Sequence, residues 1–371
     1  DIAMQLPITA ALSSPSFLLR TETTQDTNDS YPISSIDMAT RLSYFLWSST
    51  PDEELLEAGL NGELSNPEEL LRQADRLLAD KRANRFFERF VVQWLRTDGL
   101  GDTIRPDADR FPEVSDALMS AMRQEAVMVF ADLVRNNKSL HYLLDGESTF
   151  MNEELAAHYG YADVKGSEWR EVPLADSSRG GLLTQAATLT VSSSPRRTSP
   201  VFRGKWVLDV LLGEPPPPPP PNVPPLSDEA ETDASSLRDL LAAHRNNPVC
   251  AACHDRIDPF GLSLEQYDAV GRLRTKKQDT SATLTSGESL DGAVDLRRFL
   301  VEQKSDAFTR HLTRKMLAYA LGRELRFPDE RSIYTILDQL KADDFRAKTL
   351  IHAIIDSEAF RTRKNPQETL Q

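Results

Sequence analysis

From Pro215 to Pro221 the chain is seven prolines in a row, and Asn222-Val-Pro-Pro follows. No helix or sheet accepts such a run. Each ring fixes φ near −65° and removes an amide donor. The segment is expected to be a polyproline II rod, about 3.1 Å per residue and roughly 20 Å long. Its simplest use is as a spacer. The alternatives are a rod packed against the fold or one recognised by a partner.

On the N-terminal side of the rod the pattern is helical. Residues 1–35 are rich in Ser, Thr, Asp and Asn and read as an extended arm. Residues 36–146 read as a helical bundle. Met38–Trp47 is one helix, and Thr50-Pro-Asp-Glu and Asn66-Pro-Glu-Glu carry start signals for the next two. Asp80–Leu95 places Phe86, Phe87, Phe90, Val91 and Trp94 at helical spacing, and Ser115–Asn136 is long and amphipathic. Residues 147–226 form an irregular middle segment that ends in the rod. It holds a short strand at Trp169–Leu174, a weakly alternating Thr188-Leu-Thr-Val-Ser192, and a helix at Val201–Leu212. Residues 227–371 are helical again. Ser235–Arg245 leads to the cysteines, 261–270 is a brief helix, 275–295 is polar loop, and helices follow near 296–304, 306–325, 329–341 and 344–358. The fold class is therefore mainly α.

The composition excludes several functions. Lys and Arg total 43 against 57 Asp and Glu, a net charge of −14. No basic stripe offsets it, which argues against nucleic acid. No apolar run reaches the roughly 20 residues of a transmembrane helix. The chain begins at Asp1 without a basic or apolar leader, as expected after signal-peptide removal or in a piece of a longer protein.

The two cysteines lie in Cys250-Ala-Ala-Cys253-His254. This is the C-x-x-C-H pattern of covalent c-type haem attachment. Two thiols three positions apart in a turn opening a helix can both reach the vinyl groups, and the next imidazole can face the iron. A zinc site lacks its second pair of ligands. A thioredoxin-like pair lacks its βαβ setting. One haem uses both thiols and leaves no disulfide. Asp258-Pro-Phe-Gly261 is expected to turn the chain just after His254. Arg272 and Arg274 either pair with the haem propionates, as Arg forks match carboxylates, or stand solvated.

The segment Cys250–Arg272 resembles the haem segment of the planctomycete-type secreted cytochrome proteins, built from domain-of-unknown-function families 1592, 1588 and 1585 in tandem. Arg41–Trp47, Phe90–Leu95 and Ala121–Glu125 resemble the first family. Thr149–Gly160, Arg179–Leu183, Thr198–Trp206 and the proline run resemble the second, and Tyr319–Arg323 the third. The resemblance implies a periplasmic or secreted c-type cytochrome with a C-terminal cytochrome c-like haem domain. It implies no particular reaction.

The iron's other face separates the possible chemistries. Met122 and Met316 are the candidate distal ligands, and an open position is the third option. His141, His158 and His352 read as surface or structural; His311, five residues before Met316, points to a different part of that helix, and His244 lies ten residues before His254. Three functions follow: an electron carrier working with a redox partner or larger complex, a peroxidase- or oxidase-like haem enzyme with Glu125 facing a distal pocket, or a haem-organised structural subunit.

Overall fold

The Ser35–Trp47 helix starts where its sequence supplies a cap. Ser34 Oγ accepts from Asp37 N–H and donates to the Asp37 carboxylate at 2.6 Å. This satisfies one of the amides that a helix start leaves open. The same logic starts Glu53–Leu60 at Asp52, Pro67–Ala79 at Asn66 and Asp116–Arg135 at Ser115. The protein is described by a computed structural model, which covers residues 2–218 except 20 and 28, and residues 238–364 except 240, 243, 244, 246 and 247. The described residues are mainly helical.

Aromatic side chains on the inward faces build the core. Phe45, Phe86, Phe90 and Phe130 nest together, with Phe45 and Phe86 ring centres 5.2 Å apart. The C-terminal helix Ser305–Leu321 sends Tyr319 into the same nest, 5.8 Å from Phe86 and 5.6 Å from Phe90. One continuous apolar cluster thus joins the first and last thirds of the chain, Ile257 and Phe260 included, and also takes in Trp206 and Val207 from between them. Tyr31-Pro32 pairs antiparallel with Thr362-Arg363, and Arg41 binds Glu22 and the Phe360 carbonyl.

Several local expectations are corrected. The arm is not extended throughout, because Ile2–Ser13 and Pro15–Leu18 are helical. Ala3, Ala10, Ala11, Leu6 and Leu12 favour helix in the first of these, which takes Pro7 into its interior against that residue's preference. Asp80–Leu95 is split, with a 3₁₀ turn at Lys81–Ala83 ahead of the helix Asn84–Leu95. Thr188–Ser192 does not alternate as a strand. It belongs to the buried helix Ala186–Val191, where the Thr190 and Ser192 hydroxyls donate to the carbonyls four residues back. Those bonds satisfy the two buried hydroxyls within the helix. Val201–Leu212 is helical, but the α-helix Pro200–Trp206 widens into a π-turn over Val207–Leu211. The strand at Trp169–Leu174 is present as Arg170–Pro173, paired antiparallel with Ser148–Met151. The polar loop at 275–295 contains a small hairpin, Ser281–Thr283 against Ser289–Asp291, and the next helix begins at Gly292. Pro215–Pro218 are in neither helix nor strand. The rest of the proline rod and most of the expected 235–245 helix lie outside the described residues.

The correction that matters most concerns the cysteines. Asp258-Pro-Phe-Gly is not a turn, and 261–270 is not a separate helix. A single helix runs from Pro248 to Leu262 with Pro259 inside it. Packing overrides the turn signals. The Pro200–Trp206 helix crosses this helix so closely that a Cβ on Gly204 would meet the Ile257 carbonyl oxygen at 2.0 Å. A Cβ on Gly261 would meet the Pro200 carbonyl oxygen at 1.8 Å. Gly261 is therefore the site of a helix crossing. Alanine there should destabilise the protein by about 1–3 kcal/mol in urea unfolding, because the overpacking outweighs its better helix preference. An unchanged or raised midpoint would refute the close crossing.

Candidate functional site

The Pro248–Leu262 helix places Cys250, Cys253 and His254 within its first two turns. Positions i, i+3 and i+4 share one helix face, so the two thiols and the imidazole point the same way. Both cysteines are unpaired and partly buried. One turn on, fully buried Asp258 meets His254, with Nδ1 and Oδ1 2.9 Å apart. Arg245 approaches this pair, 3.5 Å from Asp255 and 4.0 Å from Asp258 Oδ2. The sequence reading missed Asp258 because it placed the residue in a turn. Within a helix, its spacing of four from His254 is the signal.

Buried Arg203 holds the segment that follows. Its guanidinium donates to the carbonyls of Leu264 at 2.8 Å, Tyr267 at 3.1 Å and Asp268 at 2.6 Å, and to Glu265 Oε1 at 3.2 Å. Glu265 also accepts from Thr198 Oγ1 at 2.7 Å. Burial pulls the Arg203 pKa below its ordinary value, with Glu265 opposing. Arg272 pairs with Glu113 and with Asp268, the latter at 2.9 Å. Arg274 Nε donates to the Glu265 carbonyl at 3.1 Å. Both arginines thus hold the loop through protein partners. A cleft of about 460 Å³ lies along the same helix, lined by Arg238, Arg245, Pro259, Leu262 and the hairpin. That is within the usual range for ligand sites, roughly 300–1,000 Å³.

The two candidate methionines are fully buried in different apolar clusters. Met122 packs with Met119, Leu155 and Ala186, and Met316 lies in the main core with Leu312 and Phe308. Glu125, one turn beyond Met122, accepts from Thr149 Oγ1 and the Tyr159 hydroxyl, both at 2.7 Å. Arg179 lies over the Tyr159 ring at 3.9 Å and donates to the Thr184 and Gly271 carbonyls. Burial raises the Glu125 pKa from 4.5 to about 7 against these stabilising contacts. The folded state therefore holds this proton more tightly than the unfolded chain. The associated stability is fully present below pH 4.5 and is lost as pH rises through about 7. The loss amounts to about 3 kcal/mol. Glu125→Gln should flatten that stretch of a stability–pH curve measured by urea unfolding. A curve that kept its full slope would refute the assignment.

The histidines divide similarly. His158 bonds the Val270 carbonyl, His141 bonds Ser305, and His352 pairs with Asp75. Burial holds His311 at about 4, helped by Lys315. His244 lies outside the described residues. Among the described residues no group of three or more His, Cys, Asp and Glu is placed to hold a bare metal ion, and no helix is long and apolar enough to cross a membrane.

Three known families match the chain. Residues 33–161 match a family described as "Protein of unknown function (DUF1592)", 179–277 one described as "Protein of unknown function (DUF1588)", and 286–360 one described as "Protein of unknown function (DUF1585)". The chain belongs to the planctomycete cytochrome-c-like proteins that carry these three families in tandem. The Cys250–His254 segment and Arg203 fall in the second match, and Thr149–Gly160 falls in the first, not the second. No curated protein and no solved structure matches the chain.

Proposed function

We propose that this protein is a periplasmic or secreted c-type cytochrome that binds one haem covalently and passes single electrons to or from a redox partner or larger complex. The observation that carries the reading is two unpaired thiols on one helix face with an imidazole whose Nδ1 is held by a buried carboxylate. With Nδ1–H donating to Asp258, Nε2 keeps the lone pair that binds a metal. Each thiol would add across a vinyl group, its sulfur bonding one carbon and its proton ending on the other, with no oxidant consumed. When bound, the haem supplies a one-electron Fe(III)/Fe(II) couple.

The chain's own residues do the rest. The crossing at Gly204 and Gly261 and the Arg203 hub fix the helix that carries the motif. For the propionates the proposal has two arginine pairs: Arg272 and Arg274, and Arg238 and Arg245 at the cleft. Met122 or Met316 is proposed as the distal ligand. The net charge of −14 suits a partner with a basic docking face.

Absorption spectra of oxidised and reduced protein, made in a host that attaches c-type haem, test this reading. The expected result is a six-coordinate low-spin spectrum in both states. A five-coordinate high-spin ferric form that binds cyanide readily would overturn the carrier function. Met122→Leu and Met316→Leu nearly conserve volume, so each should cost under about 1.5 kcal/mol in packing. Only loss of the true ligand should open the iron and shift the potential. An unchanged spectrum in both variants would eliminate both methionines.

A further inference from the structure

We propose that Asp258 is a positioning residue that makes His254 a strong, electron-rich donor and biases the bound haem toward its oxidised state. This rests on the haem reading above and adds to it which residue sets the potential.

Three observations carry it. His254 Nδ1 and Asp258 Oδ1 are 2.9 Å apart at spacing i, i+4, so the bond is built into one rigid helix. The Asp258 side chain is completely buried, so water does not compete for the contact. Among the described residues its other oxygen, Oδ2, has no hydrogen-bond partner, and Arg245 Nη1 stands 4.0 Å from it. The carboxylate's accepting power is therefore directed mainly at the imidazole. A carboxylate accepting from a ligating histidine orients the ring, fixes its tautomer and raises its basicity more than a neutral carbonyl does. Greater basicity favours the higher-charged ferric iron over the ferrous form.

The test compares full-length holoprotein with Asp258→Asn, which keeps the shape but removes the charge. Redox titration should show the reduced/oxidised ratio at a fixed ambient potential rising about tenfold in the variant, a positive shift of about 59 mV for one electron. A second reading needs no variant. In the reduced, diamagnetic wild-type protein, the His254 Nδ1 proton should appear by NMR far downfield and exchange slowly with solvent. An unchanged potential in a haem-loaded Asp258→Asn protein would overturn the inference and leave the cytochrome reading intact. So would a fast-exchanging Nδ1 proton in the wild type, which also decides the matter if the variant fails to fold. A wild-type protein without covalent haem would overturn both.

Discussion

Replacing Cys250 and Cys253 together with alanine should abolish covalent haem, leaving no haem-stained band on a denaturing gel. Both thiols sit on one face of the first two turns of the Pro248–Leu262 helix, and they are the chain's only cysteines. No other side chain offers a thiol to add across the vinyl groups. Each single variant should keep one thioether and a band of reduced intensity, with a red-shifted spectrum from the vinyl left unsaturated. His254→Ala should keep both thioethers but lose the proximal nitrogen, giving a high-spin spectrum. Full haem retention by the double variant would eliminate the attachment site. The fold itself should survive, since Cys250 and Cys253 are only partly buried and each alanine costs at most a fraction of a core truncation.

Arg203→Leu should destabilise the protein by about 3–5 kcal/mol, the range seen when one partner of a buried charged pair is removed. That is a large share of the roughly 5–15 kcal/mol that holds an ordinary domain together. Leucine fills similar space but donates nothing. The Tyr267 carbonyl loses its guanidinium donor, the Leu264 and Asp268 carbonyls keep only their backbone donors, and Glu265, with 2% side-chain exposure, loses its nearest cation. Arg274, 4.0 Å from Glu265, is too far to replace it fully. Arg203→Lys should recover only part of the loss, because an ammonium cannot fork toward several carbonyls. Removing Glu265 as well should cost less than the sum of the single changes, since the pair acts as a unit. Urea unfolding of the wild type and these four variants checks this. A loss below about 1 kcal/mol for Arg203→Leu would show that the hub is not stabilising.

The sequence was legible wherever a strong period met a cap. Ser34, Asp52, Asn66 and Ser115 are each followed by an apolar periodic run, and each starts a helix. The Cys-Ala-Ala-Cys-His motif was legible because its spacing is short-range. What escaped was set by partners distant in the chain. Pro259 and Gly261 are turn residues by local preference, yet they are helical because the Pro200 backbone lies against them. Thr188 and Thr190 favour strand locally, yet both are buried in a helix, where the Thr190 hydroxyl donates to the Ala186 carbonyl. Asp258 escaped for the same reason, since its relation to His254 exists only if the helix continues. Arg203 gave no period signal, because its partners are carbonyls, which look alike in any sequence.

The pairing of Tyr31-Pro32 with Thr362-Arg363 also bears on how the molecule is made. Ser30 and Thr362, which share a hydrogen bond beside that pairing, are 332 positions apart. Tyr319 likewise completes an aromatic nest whose other members lie before residue 131. A ribosome delivers these groups in order, so the early helices emerge long before the surface that covers them exists. The leading third must wait, half-formed and sticky, for the trailing third. Cys250 and His254 emerge during that wait, while the chain is still open. The Thr362-Arg363 strand can therefore close onto Tyr31-Pro32 only after the segment that carries Cys250 and His254 has been made.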